Sequence, residues 1–171
     1  MSTVLPYIPA TEVHAALDFP SLVDALRLAF VHGASAPVRA SHEVTPEGDR
    51  LLLMPAWDGD GLGVKIVTVF PGNRKRGVAS VAALYVRMDG ATGHPRALID
   101  GEALTLRRTG AASALASGYL SRRDARRTDV GIELRGMAPV ILEGLHGHGA
   151  VHVDGQHRNA PLVFELLEPV Q

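Results

Sequence analysis

Three cations in this chain stand where an anionic ligand could be held. A carboxylate or phosphate needs fixed positive charge; Arg supplies a planar two-donor fork and Lys a compact ammonium. Arg39 lies in PVRASH, and its alternative is an exposed strand charge. Lys65 interrupts the apolar run GVKIVTVF. A Lys on a buried face is costly unless it is paired or faces a cavity, and its alternative is a head group snorkelling at the core edge. Arg108 follows Arg107 in TLRRTGAAS. Adjacent helical residues project about 100° apart, so one arginine can face a cleft while the other faces solvent; the alternative is two solvated arginines. A fourth group, His146, His148 and His152, offers imidazoles, which are common metal ligands. HGHGAVH matches no ligand template with helical or loop spacing, so it reads as a solvated loop and no metal is assigned.

These residues need elements to position them. Residues 4–8 read as an edge strand, since Pro6 disfavours a central one. Thr11 is the expected N-cap of a short helix over 12–17. Pro20 and Ser21 open a second helix, with Leu22, Ala25, Leu26, Ala29 and Phe30 at helical spacing and Gly33 as its stop. Residues 38–44 and 50–56 read as strands joined by a Pro-Glu-Gly-Asp turn. Residues 63–70 read as a third strand, apolar on both faces and so expected to be covered on both. A basic loop, 71–77, separates it from a strand over 80–88. The turn DGATGHP then returns the chain along 95–99 as a hairpin. Asp100-Gly101 leads into a long Ala-rich helix, about 102–120, where Gly110, Ala111 and Ala112 suit close packing or ligand approach. The pattern is α/β (α+β-like): a mixed sheet with packing helices. It divides into a domain over 1–127 and a divergent tail over 128–171. In the tail, 130–134, 150–153 and 162–167 look strand-like, and 137–146 fits a helix or a strand.

Composition narrows the classes. At 171 residues with 46% apolar residues, one domain with a real core is the natural size. A formal net charge of −1 gives no electrostatic case for nucleic acid or an anionic membrane. The chain has no Cys, which removes disulfides and thiolate metal sites. There is no signal-peptide pattern and no apolar run of about 18 residues, so a cytoplasmic protein is expected.

The order PVRASH, LLLMPAW, VKIVTVFPGN, ALIDGEAL and LRRTGAAS resembles the substrate-binding half of the ornithine cyclodeaminase / mu-crystallin family. The likeness runs over roughly residues 20–125 and is specific as a set. It implies NAD(P)-linked chemistry on a small amino, imino or keto acid, and pairing of two copies through the sheet-containing domain. It also implies that Arg39, Lys65 and Arg108 hold the substrate carboxylate, that Lys65 is the catalytic residue, and that Thr109 lies near the nucleotide. Two departures follow. Ornithine-specific members carry a Glu just before LMP; here Leu52 stands there, which disfavours a second cationic group on the substrate. Members also continue into a G-x-G-x-x-(G/A) turn that seats the cofactor pyrophosphate. Here IELRGM holds a single Gly136, and Gly147-His148-Gly149 is a lone G-x-G. The expectation is a truncated or compact member, with NAD or NADP implied by the family but not bound by this chain alone. A non-catalytic ligand-binding or dimerisation module, or a degenerate fragment, is the alternative.

Overall fold

The computed structural model describes residues 4–59, 61–120, 127–130 and 140–143. In chain order these form β1 (Tyr7–Ile8), α1 (Ala10–Ala16), α2 (Phe19–His32), β2 (Ala40–Glu43), β3 (Arg50–Trp57) and β4 (Gly61–Val69). They continue as β5 (Val81–Asp89), β6 (Pro95–Asp100), α3 (Gly101–Leu120), β7 (Arg127–Val130) and β8 (Val140–Glu143). A six-stranded sheet runs in the order β1-β6-β5-β4-β3-β2, and β7 and β8 pair separately. β1 joins β6 in parallel at one edge, while the remaining pairs are antiparallel. The sheet is therefore mixed, and short hairpin connections account for its antiparallel part.

Helices cover one face. Along β4 the residues alternate, with Gly61, Gly63, Lys65 and Val67 buried and Leu62, Val64, Ile66 and Thr68 half-buried. Of the strand expected to be covered on both sides, one face is covered by helices of the described residues and the other is half-buried. The buried face meets α1, α2 and α3, while the other carries a half-buried apolar row of Leu53, Ile66 and Leu84 with nothing from the described residues packed over it as helix. The core joins Val13 and Leu17 of α1, Leu22, Val23 and Leu26 of α2, Tyr85 and Ile99 of the sheet, and Leu104, Ala111 and Leu115 of α3.

Local chemistry explains the ends of the elements. Pro9, rather than Thr11, occupies the N-cap of α1; it offers no side-chain acceptor, and its carbonyl receives the Glu12 and Val13 N–H groups. Asp18 caps α2 by accepting from the Ser21 N–H at 3.1 Å, and Gly33 ends it at φ 76°, a conformation that favours glycine. Asp100 caps α3 by accepting from the Ala103 N–H at 2.8 Å, and its second oxygen accepts from the Tyr7 hydroxyl at 3.3 Å. One carboxylate thus ties the edge strand to the start of the longest helix. Gly101 has no room for a side chain, because a Cβ there would lie 2.7 Å from the Ala83 carbonyl carbon. The basic stretch expected as a loop winds into a 3-10 turn over Pro71–Arg76. In the tail, β7 reaches Val130, the first residue of the expected 130–134 strand, and β8 lies within the 137–146 segment; 131–134, 150–153 and 162–167 lie outside the described residues.

Candidate functional site

β4 delivers Lys65 to the helix-covered face. It is 7% exposed and is a charged group among buried apolar side chains. Its registered partners are Met54 on β3 and Tyr85 on β5, and Tyr85 is registered with Ile99 on β6. Directly opposed residues of antiparallel strands project to the same face, so Met54, Lys65, Tyr85 and Ile99 form one row beneath the helices. Leu52 belongs to the same face, two residues from Met54 along β3. Gly63 clears space beside Lys65: a Cβ there would lie 2.0 Å from the Tyr85 hydroxyl, so the phenol occupies the volume a side chain would fill.

Arg39 directly precedes Ala40, which opens β2 and pairs with Leu53. Lys65 pairs with Met54, the next residue along β3. Arg39 therefore enters the sheet beside the Lys65 row, half-buried rather than on an open strand surface. α3 brings Arg108 from above. Leu104, Ala111 and Leu115 are buried at the same helical spacing as Arg108, which lies in the middle of that stripe with its Nε buried. α3 packs on β4, β5 and β6. Arg108 and Lys65 consequently belong to the two sides of one helix–sheet interface, with Arg39 at the adjacent strand entry.

Arg107 differs from the expected solvated partner. Its Nε donates to His14 Nδ1 at 3.0 Å, its Nη2 donates to the His14 carbonyl at 3.0 Å, and its guanidinium stacks 4.8 Å from the Phe19 ring centre. Arg107 is a clip between helices, which leaves Arg108 as the arginine of the pair in the buried stripe. Thr109 donates its hydroxyl to the Thr105 carbonyl at 2.8 Å, the backbone bond open to any helical Thr. That bond spends its proton, so the hydroxyl offers acceptor lone pairs to a neighbour.

Reading the sequence missed Tyr85 and Gly63. Their signal was present: a Gly inside a strand marks a close approach, and Gly63 lies two residues from the odd Lys. Among the described residues no group of three metal-ligating side chains occurs, and His146, His148 and His152 lie outside them. A groove of about 360 Å³ between α2 and α3, lined by Arg27, Phe30, Val31, Ala112, Leu115, Ala116 and Tyr119, contains none of the candidate cations.

Known proteins give this geometry a context. The model of the ornithine cyclodeaminase/mu-crystallin family matches residues 6–131. The Delta(1)-pyrroline-2-carboxylate reductase of Colwellia psychrerythraea is 38% identical over 127 residues, covering 70% of this chain and 39% of that protein. An uncharacterized protein of Schizosaccharomyces pombe is 35% identical over 158 residues, covering 88% of this chain and 47% of its own length. That stretch is too long to fit within residues 1–127, so the likeness takes in part of the segment beyond. Among solved structures, Thermococcus litoralis Delta(1)-pyrroline-2-carboxylate reductase in complex with NADH and L-proline is similar at a TM-score of 0.65. It is 32% identical, and the match covers 71% of this chain and 40% of that one. The chain spans less than half the length of these relatives. With the fold, the motif order and the family model in agreement, this chain belongs to the ornithine cyclodeaminase/mu-crystallin family.

Proposed function

We propose that this chain carries the carboxylate-binding half of an NAD(P)-linked amino- or imino-acid site. The observation that carries the reading is Lys65: an ammonium 7% exposed, on the face that α3 covers with Arg108. Burying a Lys at a helix–sheet interface is costly unless its charge is matched, and a site for an anionic ligand accounts for a cation at this position. In this reading Arg39 and Arg108 hold the two carboxylate oxygens, and Lys65 is the catalytic residue that contacts the substrate beside them. Orientation by three fixed donors places the reacting carbon with little residual freedom.

Leu52 lies on the same face as Lys65 and offers no acid to a second ammonium. A small substrate with an uncharged side chain fits, so an imino acid of the pyrroline-2-carboxylate type or its amino-acid product is the proposed substrate class. Relatives that act on such compounds support this choice. NAD or NADP, when bound, supplies or accepts the hydride. Thr109 fits one contact to it, by accepting from a carboxamide N–H or a ribose hydroxyl; with its proton given to Thr105, it does not suit a pyrophosphate oxygen. The half-buried apolar face of the sheet supports a homodimer, since apolar surface of this kind favours association. A cytoplasmic location belongs to the same reading; no helix among the described residues is long and apolar enough to cross a membrane.

Calorimetric titration of the purified chain with NADH and NADPH, with and without L-proline, tests the enzyme reading. Saturable nucleotide binding that tightens L-proline supports it. L-proline binding with no nucleotide binding supports the alternative, a ligand-binding module without turnover.

A further inference from the structure

Arg107 has a larger part in the molecule than a surface charge. Its guanidinium makes three different contacts at once: the His14 ring nitrogen at 3.0 Å, the His14 carbonyl at 3.0 Å and the face of Phe19 at 4.8 Å. These partners come from α1 and from the first residue of α2. Arg Nε always donates, so His14 Nδ1 is the acceptor of this bond. Gly110, one turn further along α3, makes the stack possible: a Cβ there would lie 2.8 Å from the Phe19 ring. Arg107 and Gly110 thus face α1 and α2, while the neighbouring stripe Leu104, Arg108, Ala111, Leu115 carries the candidate ligand cation.

The two stripes are rigidly related, because neighbouring helical residues project about 100° apart. Fixing the direction of Arg107 therefore fixes the direction of Arg108. Leu104 and Leu115 anchor α3 in the core, and its other buried residues are Gly and Ala, which pack closely but carry no directional contact. Arg107 adds the directional one, a fork and a stack that only one rotation of the helix satisfies. At a side-chain radius of about 5–6 Å, a rotation of about 10° moves a head group by about 1 Å. An error of that size in a positioned group costs on the order of a hundredfold where the geometry is demanding.

We infer that Arg107 is a positioning residue for the carboxylate site: its fork on His14 and its stack on Phe19 set the rotation of α3 and so aim Arg108. The inference rests on the proposed reading of Arg108 as a carboxylate ligand. Arg107 touches no substrate in this account and acts only through the helix.

The test uses the full chain and L-proline as the probe. Dissociation constants are measured by calorimetry well below each protein's melting temperature for the parent and for Arg107→Ala, Arg107→Lys, Gly110→Ala and Arg108→Ala. The side-chain Nε–H of Arg108, which is buried, is followed by nitrogen-15 NMR as a signature of its placement. Expected are a tenfold to hundredfold weaker Kd for Arg107→Ala and a shifted or lost Arg108 Nε–H signal in a protein that is still folded. Arg107→Lys keeps the charge without the fork and stays weak. Gly110→Ala displaces the Phe19 ring and so disturbs the stack without removing either arginine, and it weakens binding as well. If Arg107→Ala lowers the melting temperature but keeps the parent Kd and the parent Arg108 signal, the inference is wrong and Arg107 only ties helices together. If Arg107→Ala does not fold, Gly110→Ala decides in the same way. If the parent does not bind L-proline, or Arg108→Ala binds it as the parent does, the carboxylate reading itself fails, and the inference falls with it.

Discussion

At the scale of single residues, the candidate site is a small set of cations held against an apolar background. Lys65 could be singled out from sequence because a Lys inside GVKIVTVF conflicts with every neighbour, and burial bears that conflict out. Helix geometry alone could not tell Arg107 from Arg108, because two adjacent arginines on a helix differ only in direction; the motif resemblance singled out Arg108. What it did not encode is the contact of Arg107 with His14 and Phe19, residues far away in the chain. Gly63 yields a stability prediction. Its missing side chain is filled by the Tyr85 phenol, 2.0 Å from where a Cβ would be. Both groups are buried and neither can move far, so Gly63→Ala is expected to cost about 1–3 kcal/mol through overpacking. Thermal unfolding of the variant checks this, and an unchanged melting temperature would mean that the ring has room to turn.

At the scale of elements, the hairpin of β5 and β6 carries its own acid dependence. The Asp89 carboxylate accepts from Arg96 Nε at 3.1 Å, from the Thr92 hydroxyl at 2.7 Å and from the Thr92 N–H at 2.9 Å. The Arg96 hydrogen bond, followed by those from Thr92, holds this carboxyl well below the usual carboxylate range. A carboxyl whose pKa is lowered by folding stabilises the fold fully above its unfolded value, about 3.9, and loses that contribution as pH falls towards the folded value. The melting-temperature gap between the parent and Asp89→Asn is therefore expected to be widest near neutral pH and to shrink below about pH 4. A gap that stays constant with pH would contradict this. The elements themselves were largely legible. Periodicity and turn chemistry located α2, the β2–β3 hairpin, β4, the β5–β6 hairpin and α3 close to their observed bounds. Thr11 has the composition of a cap, but the helix starts earlier, at Ala10, with Pro9 as an N-cap that makes no side-chain hydrogen bond. β4 is apolar on both faces; α1, α2 and α3 lie on one, and the other is half-buried.

At the scale of the whole molecule, that one-sidedness has a consequence. The row of Leu53, Ile66 and Leu84 crosses the centre of the sheet on the face away from the helices, and each residue is only half-buried. In the proposed homodimer this row meets its counterpart. Sedimentation is expected to show a dimer for the parent chain and a monomer for Ile66→Lys, which places a charge in the middle of the row; a monomeric parent would contradict the assignment. The central claim, however, is that Arg39, Lys65 and Arg108 form one carboxylate site, and it is tested most directly by titrating L-proline into the parent chain and into Arg108→Ala. A charge-assisted hydrogen bond is worth about 1.5–3 kcal/mol, and each 1.4 kcal/mol is about tenfold in affinity. The account predicts saturable binding by the parent and a loss of about tenfold to a hundredfold in the variant. Equal affinities for the two proteins would contradict it.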